Sequence, residues 1–124
     1  MSWKTIKIDA ADRAFSEYVR RRDKICQRCF RAGDGPKGIT GLQASHYWSR
    51  RHENTRFDIQ NVISLCAMCH FIWGGDGRAD YTTHMKSKLG EQGYKALMVR
   101  CNTHCRKDRK LALMQAKLLL KTLD

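Results

Sequence analysis

The spacing of apolar residues changes several times along the chain, and each spacing predicts a different element. Ala11, Phe15, Tyr18 and Val19 fall at i, i+4, i+7 and i+8, the stripe of an amphipathic helix, and Asp9 ahead of them is a suitable N-cap. The other face carries Arg13, Arg20, Arg21 and Arg22, so the predicted helix over 9–24 lays one stripe on a core and turns the other to water. The pattern then lapses. Cys26-Gln27-Arg28-Cys29, and the glycines at 33, 35, 38 and 41 around the lone Pro36, read as a knuckle and a loop.

Leu42 to His46 and Asn61 to Leu65 have β character, and the polar, arginine-rich stretch from Tyr47 to Gln60 separates them as the two arms of an irregular hairpin. Cys66 to Trp73 predicts a short helix that Gly74-Gly75-Asp76-Gly77 must end. No Lys-Ser/Thr follows that run, so it breaks a helix and does not cradle a phosphate. Helical spacing resumes over Tyr81 to Leu89 and Tyr94 to Cys105, interrupted at Gly90, with Tyr94, Leu97, Met98 and Cys101 on one face. In Arg106 to Asp124, Leu111, Met114 and Leu118, with Leu113 and Leu120 beside them, form a face too broad for a lone surface helix. That face is expected to pack on the domain or to pair two chains as a homodimer. The sum is one α+β domain over 1–124, with a hairpin core at 25–75, the N-terminal helix at 9–24 and a C-terminal helical region at 79–124.

At 124 residues the chain suits one domain, and a core of that size benefits from a staple. Six cysteines offer one. No run of about eighteen apolar residues exists to span a bilayer, so no membrane partner is expected. Met1 to Ala11 has neither an apolar h-region nor a small-residue cleavage site, so the expected location is the cytoplasm, where thiols stay reduced and free to bind metal. Lysine and arginine total 24 against 12 acidic residues, and the resulting charge of +12 attracts polyanions, of which nucleic acid is the usual intracellular one. A generally basic soluble surface is the alternative.

Cys26-x-x-Cys29 and Cys66-x-x-Cys69 are knuckles of the kind that bring paired thiolates to a tetrahedral zinc ion, the intervening loop letting the second pair fold back on the first. Redox-active pairs or plain core cysteines are the alternative, but no thioredoxin-like βαβ pattern surrounds either pair. Cys101, His104 and Cys105 supply only three donors for a second metal. Cys101 and Cys105 also continue an apolar helical face, and buried small hydrophobes are the better reading. His84 has no partner at ligand spacing and is given no role. Tyr47, Trp48 and Trp73 read as packing against the zinc module.

His46, Asn61 and His70 fall between and just after the knuckles. Together with Cys26-Gln-Arg-Cys29, Leu42-Gln-Ala-Ser-His46-Tyr, Thr55-Arg-Phe-Asp58 and Asn61-Val-Ile-Ser-Leu-Cys66-Ala-Met-Cys69-His70, they make the sequence resemble the HNH (ββα-metal) endonuclease superfamily. The likeness is to its phage-type members with a four-cysteine zinc site, among them the NinG/Rap recombination nuclease and endonuclease VII. It covers Asp12 to Leu97 in outline, and its core is Cys26 to Trp73.

The resemblance implies a zinc-stapled ββα-metal domain that hydrolyses DNA phosphodiesters, leaving a 5′-phosphate and a 3′-hydroxyl. The setting it implies is phage DNA recombination, junction processing or packaging in a bacterial host, on duplex or branched DNA. By the same likeness His46 is the general base, Asn61 holds the loop that orients it, and His70 binds a catalytic divalent ion (Mg2+, Mn2+ or another transition ion) beside the structural Zn2+. The chemistry suits the task, since hydrolysis needs a base to activate water and a cation to neutralise charge on the phosphate. One departure is Ser45, which stands where many such enzymes place a metal-binding aspartate or histidine. A neutral hydroxyl is a poor ligand, leaving Asp58, Asp76 or Asp80 as candidates. Arg50, Arg51 and Arg56 beside His46 are candidate DNA contacts through bidentate guanidinium–phosphate pairs, with solvated loop charge as the alternative. Two other function classes compete: a non-catalytic zinc-dependent nucleic-acid-binding module of the same fold, and a protein-interaction module using the C-terminal helix, which leaves His46 and His70 without work.

Overall fold

Asp9 and Asp12 start the first helix by capping each other. Asp9 Oδ1 accepts from the Asp12 amide at 3.0 Å and Asp12 Oδ2 from the Asp9 amide at 2.9 Å. The computed structural model describes residues 6–124, so residues 1–5 of the stretch read above for a leader lie outside it. Helix α1 runs Ala10–Asp23, buries Ala11, Phe15, Tyr18 and Val19, and ends where Lys24 turns left-handed at φ 67°. Two isolated bridges, Ile25 to Ala32 and Asp34 to Thr40, shape the loop that follows.

Strands β1 (Leu42–His46) and β2 (Val62–Cys66) pair antiparallel, with Leu42 opposite Cys66 and His46 opposite Val62. The second arm begins one residue later than expected because the Asn61 side chain serves the intervening loop, although its carbonyl still accepts from the Tyr47 amide at 2.9 Å. A single helical turn, α2 (Glu53–Arg56), lies within that loop. Helix α3 (Ala67–Gly74) follows β2 without a break, and α4 (Arg78–Asn102) is interrupted at Gly90, whose φ of 76° and ψ of 166° suit a residue without Cβ. Helix α5 (Arg109–Lys121) closes the chain against α1. Among the described residues no helix is long and apolar enough to cross a membrane.

Two cores pack against the hairpin. One holds Leu42, Ile63 and Leu65 with Cys26, Cys66, Cys69, Trp73, Tyr81, Met85 and Leu97, with Tyr47 buried and Trp48 packed at the margin. In the other, Ala44 and Val62 meet Phe15, Tyr18, Val19 and Ala116.

Helix α5 packs on the domain by a different face from the broad C-terminal stripe. Leu111, Met114 and Leu118 remain 46%, 58% and 55% exposed, while Ala112 and Ala116 are buried and Leu119, Leu120 and Leu123 pack beside them. Ion pairs set this rotation: Arg109, the first residue of α5, reaches Asp9 at 2.5 Å and Glu53 at 2.7 Å. The small alanines then allow close approach to α1.

Candidate functional site

The knuckles bring four sulfurs together. The Sγ atoms of Cys26, Cys29, Cys66 and Cys69 all lie within 4.8 Å of one another, and Cys29 and Cys66 are 3.8 Å apart. Tetrahedral zinc with bonds of about 2.3 Å requires sulfur–sulfur edges of about 3.8 Å, so the donor set and its size fit that ion. Local backbone bonds build the arrangement. The Phe30 amide closes the first knuckle onto the Cys26 carbonyl at 2.9 Å, and the Gln27 amide ties it to Ser64 of β2 at 2.9 Å. Burial pushes the Cys26 thiol up, but the amides of Cys29, Cys66 and Arg28 outweigh it and bring it down to about 6. Arg28 places Nη1 3.4 Å from Cys69 Sγ, a cation beside a centre whose thiolates outnumber the charge of a divalent ion. The cluster is the only one of its kind among the described residues, and Cys101, His104 and Cys105 form no second one. Cys101 is buried, as its place on the apolar face of α4 implies.

His46 is the last residue of β1, and His70 lies in α3. His46 points toward α1, its ring centroid 6.5 Å from that of Phe15. Its Nε2 lies 2.9 Å from the Arg56 carbonyl. A carbonyl only accepts, so Nε2 carries the hydrogen and Nδ1 keeps a lone pair. Nδ1 is buried and has no partner. Desolvation, then the charge of Arg50, lowers this imidazole to about 4, so it is neutral at pH 7.

The His70 Nδ1 meets Gln43 Oε1 at 2.6 Å. With the amide oxygen accepting, its free lone pair is on Nε2, the tautomer of a metal-binding histidine steadied by a second hydrogen bond. Burial and Arg50 depress its pKa as well. The two rings share no hydrogen bond; what they have in common is the nearby Arg50 guanidinium. Beside His70 an open groove of about 750 Å³ is lined by Gln43, Phe71, Gly74, Gly75 and Asp76 among others.

Asn61 is fully buried and spends its side chain on the loop. Nδ2 donates to the carbonyls of Trp48 and Thr55, each at 2.9 Å, and Oδ1 accepts from the Trp48 amide at 2.9 Å. The Thr55 contact fixes the chain next to the Arg56 carbonyl that holds His46.

Three sequence expectations are corrected. Ser45 does not face a metal site, because its Oγ is 2.9 Å from the Tyr81 hydroxyl in the core and the residue is 1% exposed. Asp58 is taken by Arg100, at 2.6 Å. Arg56 is not a phosphate contact. It is 5% exposed, with Nε and Nη2 on the two oxygens of Asp12 at 2.8 and 2.5 Å. Arg50 is partly exposed and stands 3.9 Å from Asp12, while Arg51 lies on the surface. Sequence reasoning missed Asp12, which is 44 residues from its partner and carries no local signal. It also missed Gln43, which strand alternation puts on the same side as Ser45.

Arg56→Ala is therefore expected to cost about 3–5 kcal/mol, the usual loss on breaking one half of a buried ion pair. Urea denaturation measures it, and a loss under about 1 kcal/mol would return Arg56 to the surface role. Compared with family models, curated proteins and solved structures, the chain finds no match in any of the three.

Proposed function

We propose that this protein is a metal-dependent endonuclease of the HNH type that hydrolyses DNA phosphodiester bonds. The observation that carries the reading is the pair of fixed tautomers. His46 holds its hydrogen on Nε2 against the Arg56 carbonyl and leaves Nδ1 uncommitted, as a general base requires. His70 holds its hydrogen on Nδ1 against Gln43 and leaves Nε2 for a metal ion. The ion neutralises charge on the phosphate and leaving oxygen. Asp76 lines the same groove and is a carboxylate candidate to share it.

In this reading Arg50 grips the phosphate. Its Nε is buried without a partner and its distance of 3.9 Å from Asp12 is too long for a hydrogen bond, so it is the least committed arginine of the group. Its departure toward a phosphate also removes one of the charges that hold the His46 pKa down. Phage DNA recombination, junction processing or packaging is the proposed setting.

Binding without cutting is the competing reading, and one observation favours it: Ser45 is turned into the core and no second cluster of three donors exists among the described residues. Supercoiled plasmid incubated with the pure protein and a panel of divalent ions decides between them. Nicking that requires the ion supports the enzyme, and binding with no nicking under any ion supports the module. Binding itself is expected to weaken with a slope of about −0.9 in log K against log salt for each phosphate neutralised. A flat dependence would remove nucleic acid as the partner of the +12 charge.

A further inference from the structure

Phe71 is the most exposed large apolar side chain among the described residues, at 84%, and it adjoins His70. Met68, 71% exposed, lies three residues before it on the same face of α3. The positions three and four residues after it, which would otherwise cover the ring, are Gly74 and Gly75, and a Cβ added at Gly74 meets nothing within 4 Å. The result is the groove of about 750 Å³, walled by Phe71, Ile72 and Ala67 and ended by the polar groups of Gln43 and Asp76. Its size falls in the range of small-molecule sites, roughly 300–1,000 Å³.

Resting on the reading of the protein as DNA-acting, we infer that this groove takes up a single unstacked nucleobase, laid against the ring of Phe71, so that the protein selects DNA carrying an unpaired base. An aromatic face is a sequence-tolerant platform for a base. The charge of +12 favours a polyanion as the occupant. A fully paired duplex keeps its bases stacked and offers the groove nothing.

The test uses the full zinc-loaded chain without added divalent ion, so that no strand is cut. Its probes are two otherwise identical duplexes, one matched and one with a single bulged 2-aminopurine. The parent is expected to bind the bulged duplex about tenfold more tightly, in the range that one base–aromatic stack contributes, and to quench the bulged base. Phe71→Ala should lose the preference and the quenching while keeping zinc and its affinity for the matched duplex. Phe71→Trp should keep both and Phe71→Leu neither, which separates stacking from mere apolar cover. Gly74→Leu, which fills the groove and leaves Phe71 in place, should also lose the preference. An undiminished preference in Phe71→Ala, or binding by the parent without preference, would overturn this inference alone. Failure to bind either duplex would overturn it together with the DNA reading. If Phe71→Ala instead turned a dimer into a monomer in sedimentation, the occupant would be a second copy and the base assignment would be wrong.

Discussion

Stripping zinc from the chain, or replacing Cys66 with serine, is expected to abolish its cooperative fold. Cys66 ends β2, pairs with Leu42 across the hairpin and is the N-cap residue of α3, so an ion held by its sulfur would tie three elements together. Cys26, Cys66 and Cys69 are also members of the core that holds Leu42, Ile63, Leu65 and Trp73. Without an ion those sulfurs lie within 4.8 Å of each other with nothing to bind them. Structural zinc contributes about 10–16 kcal/mol in small metal-binding folds, as much as or more than the roughly 5–15 kcal/mol by which whole domains are stable. Elemental analysis should find one zinc per chain. Tryptophan fluorescence, reporting Trp48 and Trp73 beside the same core, should lose its sharp urea transition once a strong chelator has removed the ion. A metal-free chain that still unfolded cooperatively at the parent's midpoint would defeat the argument.

The sequence made the hairpin, the flanking helices and the cysteine cluster legible because each is written in local spacing. The i, i+4, i+7 stripe of Phe15 and Tyr18 and the paired Cys-x-x-Cys steps need no knowledge of distant residues. The rotation of α5 was not legible in the same way. Its bulkiest stripe, Leu111, Met114 and Leu118, faces outward because Arg109 is anchored to Asp9 and Glu53, contacts 100 and 56 residues away in the chain. Arg56 misled for a similar reason. An arginine in a polar loop looks like a surface charge until Asp12, on a different element, is seen to accept both of its bonds. Ser45 could have been read correctly, since alternation along β1 opposes it to His46, but its partner Tyr81 lies 36 residues on.

Replacing His46 with alanine is expected to remove about two to four orders of magnitude from the cleavage rate, the usual contribution of a positioned general base. Zinc content and DNA affinity should stay near those of the parent, because His46 lies outside the cysteine cluster and a neutral imidazole adds little to phosphate binding. His70→Ala should also fail to cut, but through the metal, so raising the divalent ion concentration should partly rescue it and should leave His46→Ala unchanged. The pH profile gives a second reading of the same residue. In the folded chain the His46 imidazole takes up its proton only near 4, against an ordinary value of about 6.5, because burial and Arg50 oppose the charge. The base is then already neutral throughout pH 5 to 8, and kcat/KM, which reports the free enzyme, should show no acid limb near 6.5. Linkage gives the matching sign for stability. Between about 6.5 and about 4 the unfolded chain binds this proton and the folded chain does not, so His46 makes the fold less stable as pH falls through that window. His46→Ala should flatten that part of the stability curve. Parent-like nicking by His46→Ala would remove the base assignment and with it the main support for the enzyme, whereas loss of zinc in that variant would move His46 into the structural site.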